Sequence, residues 1–425
     1  MPASVREFEA TGKASVEGDN WDHSLKSLEA GFRKYALAPV FGSVSAFCRH
    51  TEGIHANAQA EMVQALRTNP FNSGYAVSCF HDLAIWYCGI TNIFRDPKPV
   101  SRRLAAVNEP LFPAIEAEPS PAWTNRELTI RCILVNENVL NGPAKLFVTV
   151  TSPAGEKVIE ETKDIDLAPE DCFVAPVYEK RATLNGPSGH YVIRATVEGS
   201  NGHKASNERR LFALDPHDIH WPGQPILLFD LANHLVPFFA RQNVSYELWS
   251  THTEVKGRPI LIGDMAKWYY YEHTAAVLGE MRLILAAGHT GSTVGFLFES
   301  SDGLLINLIN DLGIQRGPLR LVDSAGNFRG DFHYVKPHAL FRGLPVKQCM
   351  GGEYRNVVGR ISMDGFEGET VAGCSENAYW WGTDVGVMKT GSGAVVLSTM
   401  RLSQNLGADP VADIVLSNIS SFKPG

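Results

Sequence analysis

The chain of 425 residues has few cysteines, no excess of basic residues and no long apolar run. Its seven cysteines are an odd number without a Cys-x-x-Cys pair, which argues against a disulfide framework and indicates reduced thiols in a cytoplasmic protein. The net charge of -8 provides no basic field for a phosphate backbone, so we expect no nucleic-acid partner. Apolar runs such as residues 225–231 are too short to span a membrane, and no signal-peptide core begins the sequence.

What the chain does contain is ordinary for globular domains. Hydrophobic residues make up 44% and charged residues 20%, which argues against long disorder. The length predicts two or three domains. Three regimes of sequence pattern follow one another along the chain.

Residues 1–115 form a regime that is mostly helical. Apolar residues between Leu25 and Leu37 recur at near-helical spacing, and residues 47–66 form a longer amphipathic pattern that Asn69-Pro70 ends. An apolar run at residues 74–83 predicts a strand that ends in polar residues, and residues 100–110 predict a further helix.

Residues 116–217 alternate apolar and polar positions at a period of two. Short strands are predicted at residues 128–135, 144–151, 158–162 and 189–197, with Gly- and Pro-rich turns between them. This spacing predicts an immunoglobulin-like β-sandwich.

Residues 218–425 alternate strand and helix. Strands are predicted at residues 225–230, 245–249, 259–263 and 293–298, with helices at residues 232–242, 275–287 and 303–312. The chain closes with strands at residues 386–388 and 393–399 and a helix from Asp409. Apolar strands between helices predict a parallel sheet that is covered on both faces.

Several runs give the chain a resemblance to a known family: Gln64 to Pro70, Ser73-Gly74-Tyr75, His81-Asp82, Gly89-Ile90 and Phe94 to Lys98. Together they resemble the end of the catalytic (β/α)8 barrel of glycoside hydrolase family 2, which includes β-galactosidases and β-glucuronidases. Residues 218–425 resemble the flavodoxin-like, glutamine-amidotransferase-like domain that some related enzymes carry. The resemblance therefore implies a multidomain protein, with the end of a barrel, an immunoglobulin-like sandwich and a flavodoxin-like domain.

The resemblance also implies what this chain lacks. Family members retain configuration with two carboxyl groups at barrel strand ends, roughly 5 Å apart, and both lie upstream of the strand that holds His81-Asp82. Glu7 and Glu9 are the early acidic residues, and their surroundings predict a surface helix. We therefore expect no catalytic residue here and no activity without an N-terminal barrel half. A β-linked oligosaccharide or glycoside is the expected substrate, and the analogy favours a homo-oligomer.

Four residues are candidates for substrate binding. His81 and Asp82 stand where the predicted strand meets its loop, the face at which barrels bind substrate, so they predict either a sugar contact or a hydrogen-bonded pair that anchors the loop. Trp86 and Tyr87 follow, either as a platform on which a sugar stacks or as core residues.

In the third domain the sequence argues against a working glutaminase. Such an enzyme needs a thiolate at a strand-to-helix elbow, and the elbow at residues 298–303 has no cysteine, while Ser300 lacks a Gly-x-Ser-x-Gly pattern. His333 and His338 lack metal-ligand spacing and a recognisable acidic partner, so we expect no metal and no cofactor. The aromatic runs at residues 268–271 and 379–381 predict interface anchors, walls of a sugar cleft or buried packing.

Three functions remain open from the sequence. The first is a glycosidase part that works with its barrel half, and the second is a non-catalytic carbohydrate-binding or scaffold protein. The third, which Ser300 would have to support, is an amidotransferase-like enzyme.

Overall fold

A computed structural model describes residues 2–12, 16–83, 87–167, 173–255, 257–299, 303–323, 331–376 and 380–424. The chain divides into two units. Unit 1 contains residues 1–18 and 48–218, and unit 2 contains residues 19–47 and 219–425. The helices that precede the first sheet are α1 (Pro2–Ala10), α2 (Val16–Lys34), α3 (Ala38–Phe41), α4 (Val44–Arg67) and α5 (Pro99–Val107).

The helical predictions for this region are confirmed. Residues 47–66 lie within α4, residues 100–107 form α5, and Glu7 and Glu9 are exposed on α1. In unit 1, Ala56 and Val63 of α4 share a small core with Leu104 of α5 and with Phe112 and Ala114 of the adjoining sheet. The two helices are thereby fixed to that sheet by apolar burial.

The strand predicted at residues 74–83 is wrong. The backbone there is irregular, and His81 forms an isolated parallel bridge with Thr91. Cys79 has a left-handed φ of 64°, which a strand does not allow. Val77 and Phe80 are 38% and 61% exposed, so no neighbouring strands within the described residues cover the apolar run. A barrel end is therefore not formed by these residues alone.

The middle of the chain forms two facing sheets. The strands are β1 (Leu111–Glu118), β2 (Ala122–Trp123), β3 (Leu128–Asn136), β4 (Gly142–Thr151), β5 (Lys157–Leu167), β6 (Phe173–Ala182), β7 (Gly189–Gly199) and β8 (Lys204–Leu214). One sheet has the order β1-β3-β6, and the other has the order β2-β8-β7-β4-β5. The four strands predicted from period-two alternation are all present as β3, β4, β5 and β7.

Alternation explains why these residues form a sandwich. In β7, Tyr191, Ile193, Ala195 and Val197 point inward and are buried, while the residues that alternate with them are partly or fully exposed. They share one core with Ile130 and Leu134 of the other sheet. Each strand therefore buries one face against the opposite sheet, which is how a β-sandwich is stabilised.

Unit 2 is built on a wide mixed sheet. Its elements are β9 (Ile226–Phe229), α6 (Leu235–Arg241), β10 (Tyr246–Leu248), β11 (Ile260–Ile262), α7 (Lys267–Glu272), α8 (Thr274–Gly288), β12 (Thr293–Leu297), α9 (Leu304–Leu312), β13 (Arg320–Asp323), β14 (Asp331–Val335), β15 (Gln348–Cys349), β16 (Ile361–Asp364), β17 (Glu369–Glu376), β18 (Trp380–Thr390), β19 (Gly393–Ser398) and α10 (Pro410–Ser421). The predicted alternation of strand and helix is confirmed for β9 to α9 and for α10.

Half of this sheet is parallel, with the order β10-β9-β11-β12-β19. Helices cover both of its faces. Val294 and Phe296 of β12 share a core with residues of α8 and α9. Between them, Gly295 faces the other way and lies against Ile419 of α10. The prediction of a parallel sheet that is covered on both faces is therefore confirmed for these strands.

The other half of the sheet is antiparallel. β18 pairs with β19, and the path continues through β17, β14 and β15, while β16 joins β13 to β18. The sequence predicted only the end of β18 in this region. Buried polar residues such as Thr383 and Asp384 interrupt the apolar pattern of β18, and this concealed the strand.

Residues 19–47 belong to unit 2 through aromatic packing. The ring of Tyr35 stacks on Trp381 of β18 with ring centres 5.8 Å apart, and Phe47 lies 5.9 Å from the same indole. Gly31 is required here because a Cβ atom would lie 2.1 Å from the indole of Trp381. Trp381 is therefore a buried core residue. This is one of the three roles predicted for the aromatic run at residues 379–381.

Candidate functional site

Three of the predicted substrate-binding residues, His81, Asp82 and Tyr87, lie on a loop of unit 1 between residues 79 and 98. The Asp82 N–H donates to the Thr91 carbonyl at 3.0 Å, and the Thr91 N–H donates to the Phe80 carbonyl at 3.0 Å. The Lys98 N–H closes the loop onto the Ile90 carbonyl at 3.1 Å, immediately before Pro99 begins α5. The loop is thus fixed by its own backbone instead of by a sheet.

A buried ion pair lies inside this loop. Nζ of Lys98 is 2.8 Å from Oδ1 of Asp82, and both side chains are almost fully shielded from solvent, with 6% and 7% exposure. The Gly89 N–H donates to the same carboxylate oxygen at 3.0 Å, and Lys98 also donates to the Tyr87 carbonyl at 2.8 Å. Burial raises the pKa of Asp82, and the charge and hydrogen bond of Lys98 oppose that rise.

Gly89 permits this arrangement. A Cβ atom at this position would lie 2.3 Å from the carbonyl carbon of His81 and 2.4 Å from the backbone nitrogen of Asp82. Both neighbours are backbone atoms, which cannot rotate away. Gly89 therefore lets two segments of the loop approach so closely that the carboxylate of Asp82 reaches a backbone donor.

His55 of α4 belongs to the same neighbourhood. Burial and, to a smaller extent, the positive charge of Lys98 lower its pKa to about 4. The ring is therefore neutral at pH 7, and its Nε2 is buried with no hydrogen-bond partner among the described residues. Nothing in the local sequence pattern marked this residue, because it lies on a helix face well before the loop.

The four predicted substrate-binding residues differ in what the structure shows for them. Asp82 is buried and held by Lys98, so its contacts favour the loop-anchoring interpretation. His81 and Tyr87 are half-buried on the same loop, and Trp86 lies outside the described residues. A sugar contact by His81 or Tyr87 stays a prediction. The thiol of Cys88 beside them has its pKa raised to about 11 by burial and by the neighbouring Cys79.

A second group of polar residues lies in unit 2, where parallel strands end. Asp230 follows β9, Asp264 follows β11, and Glu299 follows β12. Doubly wound sheets bind ligands at this edge. Asp230 has a structural role, because its carboxylate accepts from the backbone N–H groups of Leu235 and Val236 at 2.8 and 2.9 Å at the start of α6.

Glu299 is the most perturbed acid of this edge. Its side chain is 7% exposed, and Oε1 accepts from the Gln404 N–H at 3.1 Å. Burial, with a smaller contribution from the charge of Asp264, raises its pKa to about 7, although hydrogen bonds from Gln404 and Ser403 oppose the rise. Such a carboxyl exchanges a proton near neutral pH, as a general acid or base must. The adjacent Ser300 lies outside the described residues.

The sequence analysis missed an acidic partner of His333. Nδ1 of His333 is 2.7 Å from Oδ2 of Asp384, and the Ser362 hydroxyl donates to the other oxygen of this carboxylate. The three side chains are buried on three strands. The aspartate accepts from the serine through one carboxylate oxygen and contacts the histidine through the other, so we interpret the group as a buried polar network. The partners are 51 and 22 residues apart in sequence, and only the strand pairing brings them together.

The described residues contain neither a metal centre nor a membrane-spanning helix. Among them, no three His, Cys, Asp or Glu side chains come together as a metal centre requires. None of the described helices is long and apolar enough to cross a membrane. The six cysteines that the structure describes are free thiols, and Cys48, Cys132, Cys349 and Cys374 are buried.

Comparisons with known proteins give similarity only at the level of structure. No protein-family model matches the chain, and no curated protein matches its sequence. An exo-chitosanase from Amycolatopsis orientalis is 14% identical, with 42% of this chain and 21% of that chain covered and a TM-score of 0.32. A β-glucuronidase from Bacteroides uniformis is 11% identical, with coverages of 48% and 34% and a TM-score of 0.20. A β-galactosidase from Rahnella sp. R3 is 13% identical, with coverages of 47% and 31% and a TM-score of 0.29.

These three solved structures are glycoside hydrolases. The chain spans only between about a fifth and about a third of their length.

Proposed function

We propose that the chain is part of a retaining β-glycoside hydrolase, to which residues 1–115 contribute the end of the catalytic barrel. The observation that supports this best is the exposed apolar segment beside the Asp82–Lys98 loop. Phe71 is 93% exposed, Phe80 61% and Val77 38%. Apolar side chains concentrated in this way are typical of a surface that another part of a protein covers.

The acidic residues of residues 1–115 support a non-catalytic role for this region in that enzyme. A retaining glycosidase needs two carboxyl groups about 5 Å apart, one of them free to attack the sugar. Asp82 is bound to Lys98, and Glu7 and Glu9 are exposed on a surface helix. The catalytic pair would therefore come from a separate barrel half, and this chain alone would be inactive. His81 and Tyr87 would meet a β-linked sugar from the edge of the barrel opening.

We also propose that residues 218–425 form a flavodoxin-like domain that serves structure or self-association. The strand order of its parallel half is second, first, third, fourth and fifth, which is the order of flavodoxin-like sheets. An amidotransferase activity has no support, because the elbow at residues 298–303 contains no cysteine.

The first experiment is to sequence the DNA directly upstream of the codon for Met1. The proposal requires an open frame that encodes the remaining barrel units with two strand-end carboxyl residues. The product of that frame, co-expressed with this chain, should hydrolyse 4-nitrophenyl β-glycosides, while the chain alone should not. Absence of such a frame, or turnover by the chain alone at an ordinary enzymatic rate, would contradict the proposal.

A matched pair of variants tests the exposed segment. Phe80→Asp should weaken co-purification of the two polypeptides by at least about tenfold, because it places a charge in an apolar contact. Leu248→Asp changes a similarly exposed residue, 59% exposed on β10 of unit 2, and should leave co-purification unchanged. Equal effects of the two substitutions would show that the segment is not the contact.

A further inference from the structure

A cleft of about 930 Å³ opens in unit 2, and neither Glu299 nor the loop at residues 79–98 lines it. Its walls come from the turn after α9, the segment after β14, the start of β17, the end of β18 and the residues after α10. Its polar and aromatic lining consists of Gln315, Arg316, His338, Glu367, Glu369, Lys389 and Phe422. This volume lies within the range of small-molecule sites, which is roughly 300–1,000 Å³.

The charged groups in the lining balance. Arg316 and Lys389 are cationic, and Glu367 and Glu369 are anionic. Glu367 is fixed in place, because its carboxylate accepts from the backbone N–H of Gly317 at 2.8 Å and from that of Arg316 at 3.1 Å. With no net charge, the lining has no preference for an anion or a cation, but it offers hydrogen-bond donors and acceptors around one opening. This combination suits a neutral ligand with many hydroxyl groups.

His338 adds a donor whose position is defined. Its Nδ1 accepts from the backbone N–H of Leu340 at 3.2 Å. Burial lowers the pKa of this imidazole, so the neutral form dominates at pH 7, although the charge of Glu369 opposes the shift. Because Nδ1 acts as the acceptor, the proton of the neutral ring resides on Nε2. Nε2–H is then a donor of fixed identity.

The remaining lining is apolar. The ring of Phe422 lies 5.3 Å from the imidazole of His338, and its backbone carbonyl accepts from the Thr293 hydroxyl at 2.6 Å. Val387 and Met388 of β18 also line the cleft. A pyranose ring presents an apolar C–H face and a polar rim of hydroxyls. An aromatic ring next to paired charges and a neutral imidazole complements both.

We propose that this cleft binds a neutral carbohydrate, with Phe422 under the C–H face and with Glu369, Lys389 and His338 at the hydroxyl rim. The proposal concerns binding alone and involves no bond cleavage. It rests on the lining of the cleft and is independent of the proposed glycosidase function, because a chain that never assembles with a barrel would still bind sugar here.

Saturation-transfer NMR and calorimetry of the full chain with cellobiose, lactose and maltose test this binding. At least one of these sugars should bind, and Phe422→Leu and Glu369→Gln should each weaken that binding about tenfold or more. Both substitutions keep the side chain similar in size, and unchanged circular dichroism would show that the fold survives. Trp268→Leu is the control, because Trp268 is 62% exposed on α7 and does not line the cleft.

Three results would overturn the proposal. The first is no detectable binding of any of the three sugars. The second is sugar binding that Trp268→Leu abolishes and Phe422→Leu does not affect, which would locate the sugar at α7. The third is binding of citrate or inorganic phosphate in the cleft with higher affinity than any sugar. Hydrolysis is not measured, so the result is separate from the test of the glycosidase proposal.

Discussion

Asp82 and Lys98 show how one pair of residues organises a long irregular loop. Two charges that are both shielded from water are costly to bury, and their attraction is balanced by the loss of hydration. The pair is therefore a weak source of net stability but a strong constraint on geometry, because neither partner can be lost alone. His81 and Tyr87 keep their places on the loop through this constraint.

Lys98→Met should destabilise unit 1 by about 3–5 kcal/mol, because it leaves the Asp82 carboxylate buried without a cation. The loss should be smaller at pH 5 than at pH 8, since the carboxyl can then take up a proton. Urea denaturation, followed by circular dichroism, measures both values.

The double variant Asp82→Asn/Lys98→Met should recover part of the loss. Arg194→Met, which breaks an exposed pair with Glu208, should have a much smaller effect. Equal losses from Lys98→Met and Arg194→Met would contradict this account.

Glu299 should make the stability of unit 2 depend on pH. Its pKa is about 7 in the folded state, against an ordinary value of 4.5, so the folded state holds the proton more tightly. Stability is therefore complete below pH 4.5 and falls as the pH rises to 7, by up to roughly 3 kcal/mol. Glu299→Gln should remove this fall, which makes the variant more stable than the parent at pH 8 but not at pH 4.

Chemical denaturation at the two pH values measures the effect of Glu299. The exposed Glu272 on α7 provides a control, because Glu272→Gln should not alter the pH dependence. An identical pH profile for Glu299→Gln and the parent protein would show that the carboxyl is not perturbed.

At the scale of elements, the contact between β12 and α10 depends on the absence of a side chain. A Cβ atom on Gly295 would lie 2.8 Å from Cγ2 of Ile419 and 3.1 Å from Cδ2 of Leu261. The helix can therefore lie close to the sheet only because this strand position is glycine.

Gly295→Ala should destabilise unit 2 by about 1–3 kcal/mol, because it overfills a packed core. Adding Ile419→Leu, which removes the Cγ2 methyl group from the contact at constant side-chain volume, should restore part of that stability. Gly279→Ala on α8 is the control, since nothing lies within 4 Å of the added methyl group. This control should gain about 0.5–1 kcal/mol, because alanine is the better helix former. Urea midpoints measure all three, and a stable Gly295→Ala variant would contradict the packing argument.

Elements were predictable from the sequence where one physical pattern dominated. Strand β7 alternates buried and exposed positions without interruption, and helices α4 and α8 are long and periodic, so their identity was clear. The run at residues 74–83 failed because apolar composition predicts a strand only when neighbours are present to pair with it. The strand β18 was largely missed because Asp384 is buried by a long-range partner that composition does not reveal.

The candidate site was predictable in the same uneven way. Asp82 was predicted at the end of a strand over residues 74–83 that does not form, and its partner Lys98 was not predicted, because the two are 16 residues apart in sequence. The perturbation of Glu299 comes from burial at the end of a central strand, which the sequence does not encode as a motif. The cleft in unit 2 combines residues from five separate segments, so no local pattern could mark it.

At the scale of the whole molecule, each unit has its own apolar core. The core of the sandwich draws on both of its sheets, and a separate core lies between the parallel strands of unit 2 and the helices α8 and α9. Segments of the chain that are distant in sequence contribute to each unit, since residues 19–47 belong with residues 219–425. The division into units therefore does not follow the order of the sequence.

The position of β19 has a consequence for synthesis on the ribosome. This strand pairs with β12, although the two are separated by about a hundred residues that include β13 to β18. The parallel half of the sheet cannot close until residues 393–398 have emerged, and α10 must follow to cover Gly295. During translation β12 would expose an unpaired edge, which is prone to aggregation. A chaperone that shields this edge should therefore raise the yield of folded protein. Slower translation of the β-sandwich should raise the yield less.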